Sequence, residues 1–238
     1  MSASVVVMAH EARRQWVDGY LRPQLDLEPG QVVWDQFNDR HETGLRCLKA
    51  FDPGEPWHVI VQDDVLVCRD LIKGVHRALA RVDEQPVGLF TGRARNPHGE
   101  RFVRSVRLAR SRGHAWLQVP GQIWGQVICL PTSQIPDLVR SYEASDLENY
   151  DRRIGRFYRR EKIATLHTVP SLVDHRDGDE NPSLVPERGN RGRTAAYFIG
   201  ATRSALGVNW DTGVTRLLGE GETAGPARRR RRAHDRYA

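Results

Sequence analysis

A chain of 238 residues, 39% hydrophobic and 28% charged, can bury the core of one larger domain without disulfide or metal staples. Its net charge of +6 invites a nucleic-acid reading, but half of the excess sits after residue 219, where six arginines, Arg228 to Arg232 and Arg236, face Glu220, Glu222 and Asp235. Three scattered cysteines, Cys47, Cys68 and Cys129, argue against a disulfide framework or a zinc ribbon, and no apolar run approaches the roughly 18 residues of a membrane span, so a cytoplasmic protein with no membrane insertion is expected.

In chain order, Ser4 to His10 (SVVVMAH) is β-rich and apolar, and EARRQWVDGYL after it has helical spacing through Ala12, Trp16 and Tyr20. Gln31 to Asp35 reads as a second short strand and ETGLRCLKAF as a second helix. WHVIV is a third strand, and CRDLIKGVHRALARV a third helix with Leu71, Ile72, Val75, Ala78, Leu79 and Val82 on one face. Three strand-helix alternations predict an α/β fold, a mainly parallel sheet flanked by helices, whose ligands bind at the carboxyl ends of the strands. His10, Asp35 and the pair Asp63-Asp64 fall at such ends.

PVGLFTG continues the strand series and leads into the basic RARNPHGERFVRSVRLARSRG. HAWLQV and QIWGQVICL read as strands, the second broken by a glycine, and TSQIPDLVRSYEAS and NYDRRIGRFYRREKI as helices. ATLHTVPSLVDH reads as a last strand running into a loop that holds His175 between Asp174 and Asp177. Beyond Arg176 the composition turns polar, and residues 200–238 are expected to form a loosely ordered extension ending in the arginine run, outside a domain spanning residues 1–199.

Two adjacent carboxylates repel each other and need water, a metal ion or a cationic side chain beside them. Asp63-Asp64 is then either a strand-end site for a hard cation shared with a substrate's phosphates or a turn that introduces the next helix. Asp151 is either a carboxylate base or an ordinary helix-start acid. Trp124 and Gly125 are either a core aromatic with a bulge glycine or a sugar-stacking pair. His175 is either a ligand for a Mn²⁺-like ion or a solvated loop histidine.

Taken in order, VMAHEARR, WDQFND, VIVQDDVLVCRDL, IWGQVICLPTSQI, YDRRIGRF and TVPSLVDHRD...SLV resemble phage-encoded glycosyltransferases of the GT-A fold, a group similar to glycosyltransferase family 25, over about Val5 to Phe198. The resemblance implies a Rossmann-like GT-A domain that uses Mn²⁺ or Mg²⁺ to move a hexose from a nucleotide sugar, with a UDP-hexose as the expected donor, to a macromolecular acceptor, protein or nucleic acid. It implies metal contact at Asp64 and His175, donor contact at Ala9, His10, Arg13, Asp35, Gln62, Asp63, Trp124 and Gly125, and a catalytic base at Asp151. Gln62 stands where the family's acidic motif has its first carboxylate, and Pro186-Glu187 where relatives often have another histidine. The alternative from another class is a nucleic-acid-binding accessory protein that uses Arg93, Arg95, Arg101, Arg104, Arg107, Arg110 and Arg112 with the arginine tail.

Overall fold

In a computed structural model that describes residues 2–93, 97–147, 149–176 and 194–219, the chain forms an eight-stranded sheet in the order β10-β6-β8-β5-β7-β3-β1-β2, with a two-stranded ribbon, β4-β9, at one end. The strands are β1 (Ser4–Ala9), β2 (Val32–Trp34), β3 (Trp57–Gln62), β4 (Val65–Val67), β5 (Val87–Gly88), β6 (Trp116–Pro120), β7 (Val127–Pro131), β8 (Ala164–Thr168), β9 (Val173–His175) and β10 (Val214–Arg216). β1 pairs in parallel with β2 and β3, β5 with β8, and β10 with β6, while β7 runs antiparallel to β3 and β5, and β6 antiparallel to β8. The expected α/β architecture with a mostly parallel sheet is therefore present.

The central strands lack a polar face because both faces are covered. Along β1, Val5, Val7 and Ala9 enter one core and Val6 and Met8 the other; β3 divides Val59 and Val61 from Ile60, and β7 divides Val127 and Cys129 from Ile128 and Leu130. The first core is closed by the helical run after β1, which is 3₁₀ at Glu11–Arg13, α at Arg14–Trp16 (α1), π at Val17–Leu21 and α at Arg22–Leu25 (α2). Helix α4 (Leu71–Leu79) packs on the same side through Leu71, Val75, Ala78 and Leu79. The second core is closed by α3 (Arg40–Lys49), α6 (Ile135–Glu143) and α7 (Tyr150–Arg160), which contribute Leu48, Leu138, Tyr142, Ile154 and Phe157.

One segment without a sequence assignment is placed, and two expectations are corrected. The basic segment after β5 is largely a helix, α5 (Pro97–Ser111), which sets Phe102, Val106 and Ala109 on Leu117 and Val119 of β6. The strand read from QIWGQVICL begins only at Val127, and Trp124 and Gly125 lie in the loop before it, where Gly125 abuts the ring of Tyr150. Residues 200–219 belong to the fold: Trp210 is buried with its ring 5.1 Å from that of Trp116, Ala205 packs against Gly74 of α4, and β10 joins the sheet beside β6. The arginine run Arg228 to Arg232, together with Arg95 and Asp177, lies outside the described residues. No helix among the described residues is long and apolar enough to cross a membrane.

Candidate functional site

β1, β2 and β3 end side by side, and their carboxyl ends form one wall of a cleft of about 790 Å³. The loop before β7 and one side of α7, from Tyr150 to Arg159, form the rest of its wall. The cleft falls within the range of small-molecule sites, roughly 300 to 1,000 Å³. Ala9, His10, Arg13, Asp35, Gln62, Asp63, Asp64, Trp124, Gly125 and Asp151 all line it.

The twin acids occupy the turn between β3 and β4, and their two side chains do different things. Asp63 continues the β1-β3 ladder, its N–H donating to the carbonyl of Met8 at 3.1 Å. Its carboxylate accepts from the backbone N–H of His10 at 2.7 Å and from Nη1 of Arg13 at 2.6 Å. His10 also caps the 3₁₀ turn that carries Arg13, its Nδ1 accepting from the N–H of Ala12 at 3.1 Å. Burial and the neighbouring Asp64 push the Asp63 carboxyl up to about 6, against the pull of Arg13 and the His10 N–H.

Asp64 belongs to the ribbon. Its carbonyl accepts from the N–H of Arg176 at 2.8 Å, and its Oδ2 lies 3.1 Å from Nε2 of His175 and 3.8 Å from Nη2 of Arg13. His175 is expected in a loop but is the last residue of β9, in register with Val65, and is buried. It lies behind Asp64 and is not one of the residues lining the cleft. The positive charge that the acid pair requires is thus supplied within the chain by Arg13, 50 residues away in sequence.

Around this centre, Asp35 is drawn to the end of β1 by its N–H, which donates to the carbonyl of Ala9 at 2.7 Å. Its Oδ1 accepts from the N–H groups of Phe37 and Asp39, so half of the carboxylate shapes its own loop. The Gln62 N–H donates to the carbonyl of Gln126 at 2.8 Å and pins the facing loop. Trp124 is gripped edge-on by Phe90, Phe102 and His167, with ring centres 6.5, 4.6 and 5.1 Å away, so it joins the core while also lining the cleft. The Tyr150 hydroxyl donates to the carbonyl of Gly125, which fixes the start of α7 and places Asp151 in the cleft wall.

No protein family's sequence profile matches the chain, and no curated protein matches it.

Among the described residues no cluster of three or more histidine, cysteine, aspartate or glutamate side chains forms a metal cage. Asp63 spends both carboxylate oxygens on Arg13 and His10, which leaves Asp64 and His175 as one oxygen and one nitrogen donor side by side. Asp64 lines the cleft and His175 stands behind it, so the two could hold only an ion that brings most of its shell as water and substrate phosphate; they do not fit an ion held by protein alone.

Sequence reasoning missed Arg40, Gly121, Tyr150, Arg152, Gly155 and Arg159, all of which line the cleft. Asp151, Gly155 and Arg159 follow the i, i+4, i+8 spacing of one helix face, a signal that was readable; Arg40 and Gly121 carried none. With Arg13 the cleft holds four arginines against Asp35, Asp63, Asp64 and Asp151, balanced in total, with three acids and Arg13 and Arg40 on the strand side and Arg152 and Arg159 beside Asp151 on α7. Of the arginines in the accessory-protein reading, Arg101 bonds the carbonyl of Leu218, Arg110 stacks on Tyr197 and Arg93 reaches the carbonyl of Ala196, and Arg93, Arg107, Arg110 and Arg112 are exposed.

Proposed function

We propose that the protein is a GT-A-like, metal-dependent glycosyltransferase that moves a hexose from a nucleotide sugar, in the first instance a UDP-hexose, to an acceptor hydroxyl. One observation carries the reading: a single cleft at the ends of three parallel strands gathers the twin acids, the first-loop Arg13, Asp35 and, from α7, Asp151. A mostly parallel sheet with its ligand cleft at the strand ends is the arrangement in which nucleotides are commonly held.

Asp64 and His175 are the residues that would hold the divalent ion, which when bound supplies Lewis-acid stabilisation of the departing diphosphate. Asp35, at the end of β2, is placed to meet ribose or base, and the 3₁₀ turn at His10 to Arg13 to meet the phosphates. Arg152 offers further positive charge to the leaving group. In the transfer the acceptor oxygen forms a bond to the anomeric carbon as the bond from that carbon to the phosphate oxygen breaks, through an oxocarbenium-like state. Asp151 takes the acceptor proton, a contribution of ~10² to 10⁴-fold, and the nucleoside diphosphate leaves with the bonding pair.

The test is thermal stabilisation by a panel of nucleotide sugars with and without Mn²⁺, because a ligand that binds only the native state raises the melting temperature by mass action. Wild type should respond to at least one sugar diphosphate more strongly with Mn²⁺ present, and Asp64→Ala and His175→Ala should lose that increment. No response to any sugar diphosphate, with or without metal, rejects the reading.

A further inference from the structure

A second groove, of about 510 Å³, opens where the end of α7 meets β6, β8 and β10, and it shares Gly121 and Arg159 with the cleft. The junction is tight. Gly121 sits at φ +53°, and a Cβ there would lie 2.6 Å from the backbone nitrogen of Arg159, while a Cβ on Gly155 would lie 2.9 Å from the carbonyl oxygen of Gly121. The two glycines let the turn after β6 lie directly on α7, so that Arg159 stands on the saddle between the two hollows.

The groove has a consistent chemistry. Arg159, Lys162 and Arg216 are exposed at its rim, and among the described residues no carboxylate lines it. Among the described residues none of these three cations is in an ion pair, and Glu161, beside them in sequence, is exposed and not part of the lining. Pro120, Ile163, Ala164 and Leu217 give the groove an apolar side. The lining includes one aromatic residue, Tyr158, whose ring is fully buried and presents no face on which a nucleobase could stack.

Resting on the glycosyltransferase reading, we propose that this groove is the acceptor-side subsite and that the acceptor is a polypeptide whose glycosylated residue lies beside an acidic, extended segment. Carboxylates of the segment meet Arg159, Lys162 and Arg216, and alternate apolar side chains lie against Ile163 and Leu217. The reactive hydroxyl then faces Asp151 on the other side of the saddle. The missing stacking platform separates this occupant from a single-stranded nucleic acid, which the same three cations alone would also attract.

The experiment measures binding of a fluorescein-labelled dodecapeptide, Glu-Ser-Glu-Val repeated three times, to the full chain at low salt by anisotropy. The same peptide with glutamine for glutamate and a twelve-nucleotide oligothymidylate serve as comparison probes. Both Lys162 and Arg216 lie outside the cleft, so the double variant Lys162→Gln/Arg216→Gln should bind the acidic peptide roughly tenfold more weakly, as expected for losing two exposed charge pairs. The arginine run after residue 219 is identical in both proteins, so the difference between them reports the groove. Equal affinity of variant and wild type for the acidic peptide, or no preference over the glutamine peptide, overturns the proposal. Tighter oligothymidylate binding that the double variant abolishes overturns it in favour of a nucleic-acid acceptor. Nucleotide-sugar stabilisation on the same samples reads the donor site separately: its absence beside groove-dependent peptide binding removes the transferase reading and leaves the groove's specificity supported.

Discussion

Replacing Asp63 by alanine tests how the twin acids are held. At pH 7.5, above its value of about 6, the Asp63 carboxylate is charged and joins two buried donors, Arg13 Nη1 at 2.6 Å and the His10 N–H at 2.7 Å. The Arg13 side chain is 9% exposed, and its next carboxylate oxygen, on Asp64, is 3.8 Å away. Deleting one partner of such a buried pair leaves Arg13 with only the longer contact to Asp64 among its carboxylates, and breaking a buried pair costs about 3 to 5 kcal/mol, a large share of the roughly 5 to 15 kcal/mol by which domains are stable. Removing both charges is different in kind, because no buried guanidinium is left without its close carboxylate and Asp64 gives up only its longer, 3.8 Å contact with Arg13. Arg13→Met/Asp63→Leu should therefore lose clearly less stability than Asp63→Ala alone, while also losing any donor binding. Equilibrium urea unfolding at pH 7.5 measures both. An Asp63→Ala midpoint equal to wild type, or a double variant less stable than the single one, would show that the pair does not anchor the cleft.

The buried His58 is held near a pKa of about 4, against an ordinary 6.5, chiefly by desolvation, with its ring nitrogens on the Cys47 carbonyl and the Ser4 hydroxyl. Its contribution to stability is full above the unfolded value of 6.5 and is lost as pH falls from there towards 4, which amounts to about 2 kcal/mol already lost at pH 5; His58→Gln should flatten the decline in urea midpoint between pH 7.5 and 5, and an unchanged decline refutes the assignment. Gly125→Ala places a Cβ 2.7 Å from the buried Tyr150 ring, so it should destabilise by about 1 to 3 kcal/mol and cut transfer more than tenfold by displacing the start of α7; full activity in a folded variant contradicts this. Trp210→Ala should cost about 3 to 5 kcal/mol in urea unfolding, as for other large buried aromatics, and a neutral effect would detach residues 200–219 from the core.

The first half of the fold was legible because its strands are local and its helix periodic: Val5 to Ala9 is a continuous apolar run, Trp57 to Val61 is apolar but for His58, and α4 shows its buried face in Leu71, Val75, Ala78 and Leu79. Helix α5 was hidden because arginines interrupt the apolar spacing of Phe102, Val106 and Ala109 and dominate the composition. β4, β9 and β10 have three residues each and exist only through distant partners, Val65 opposite His175 and Val214 opposite Trp116, which local propensity does not encode. At the site, the strand-end position of Asp63-Asp64 was readable, but its cation was not, since Arg13 meets it only once β1 and β3 lie side by side. The cleft wall from α7 was half visible, through Asp151, because the spacing to Arg159 gains meaning only when Gly121 is seen pressed against that helix.

The acid pair also marks a seam. Asp63 is fastened to the large sheet through Met8, His10 and Arg13, whereas the backbone of Asp64 is fastened to the β4-β9 ribbon through Arg176 and its side chain through His175. Neighbouring residues are therefore moored to separate bodies. A change that loosens β9 reaches Asp64 and His175 while Asp63 keeps its anchorage, so on the proposed reading the ribbon could retune the affinity for an ion without rebuilding the hearth of the molecule.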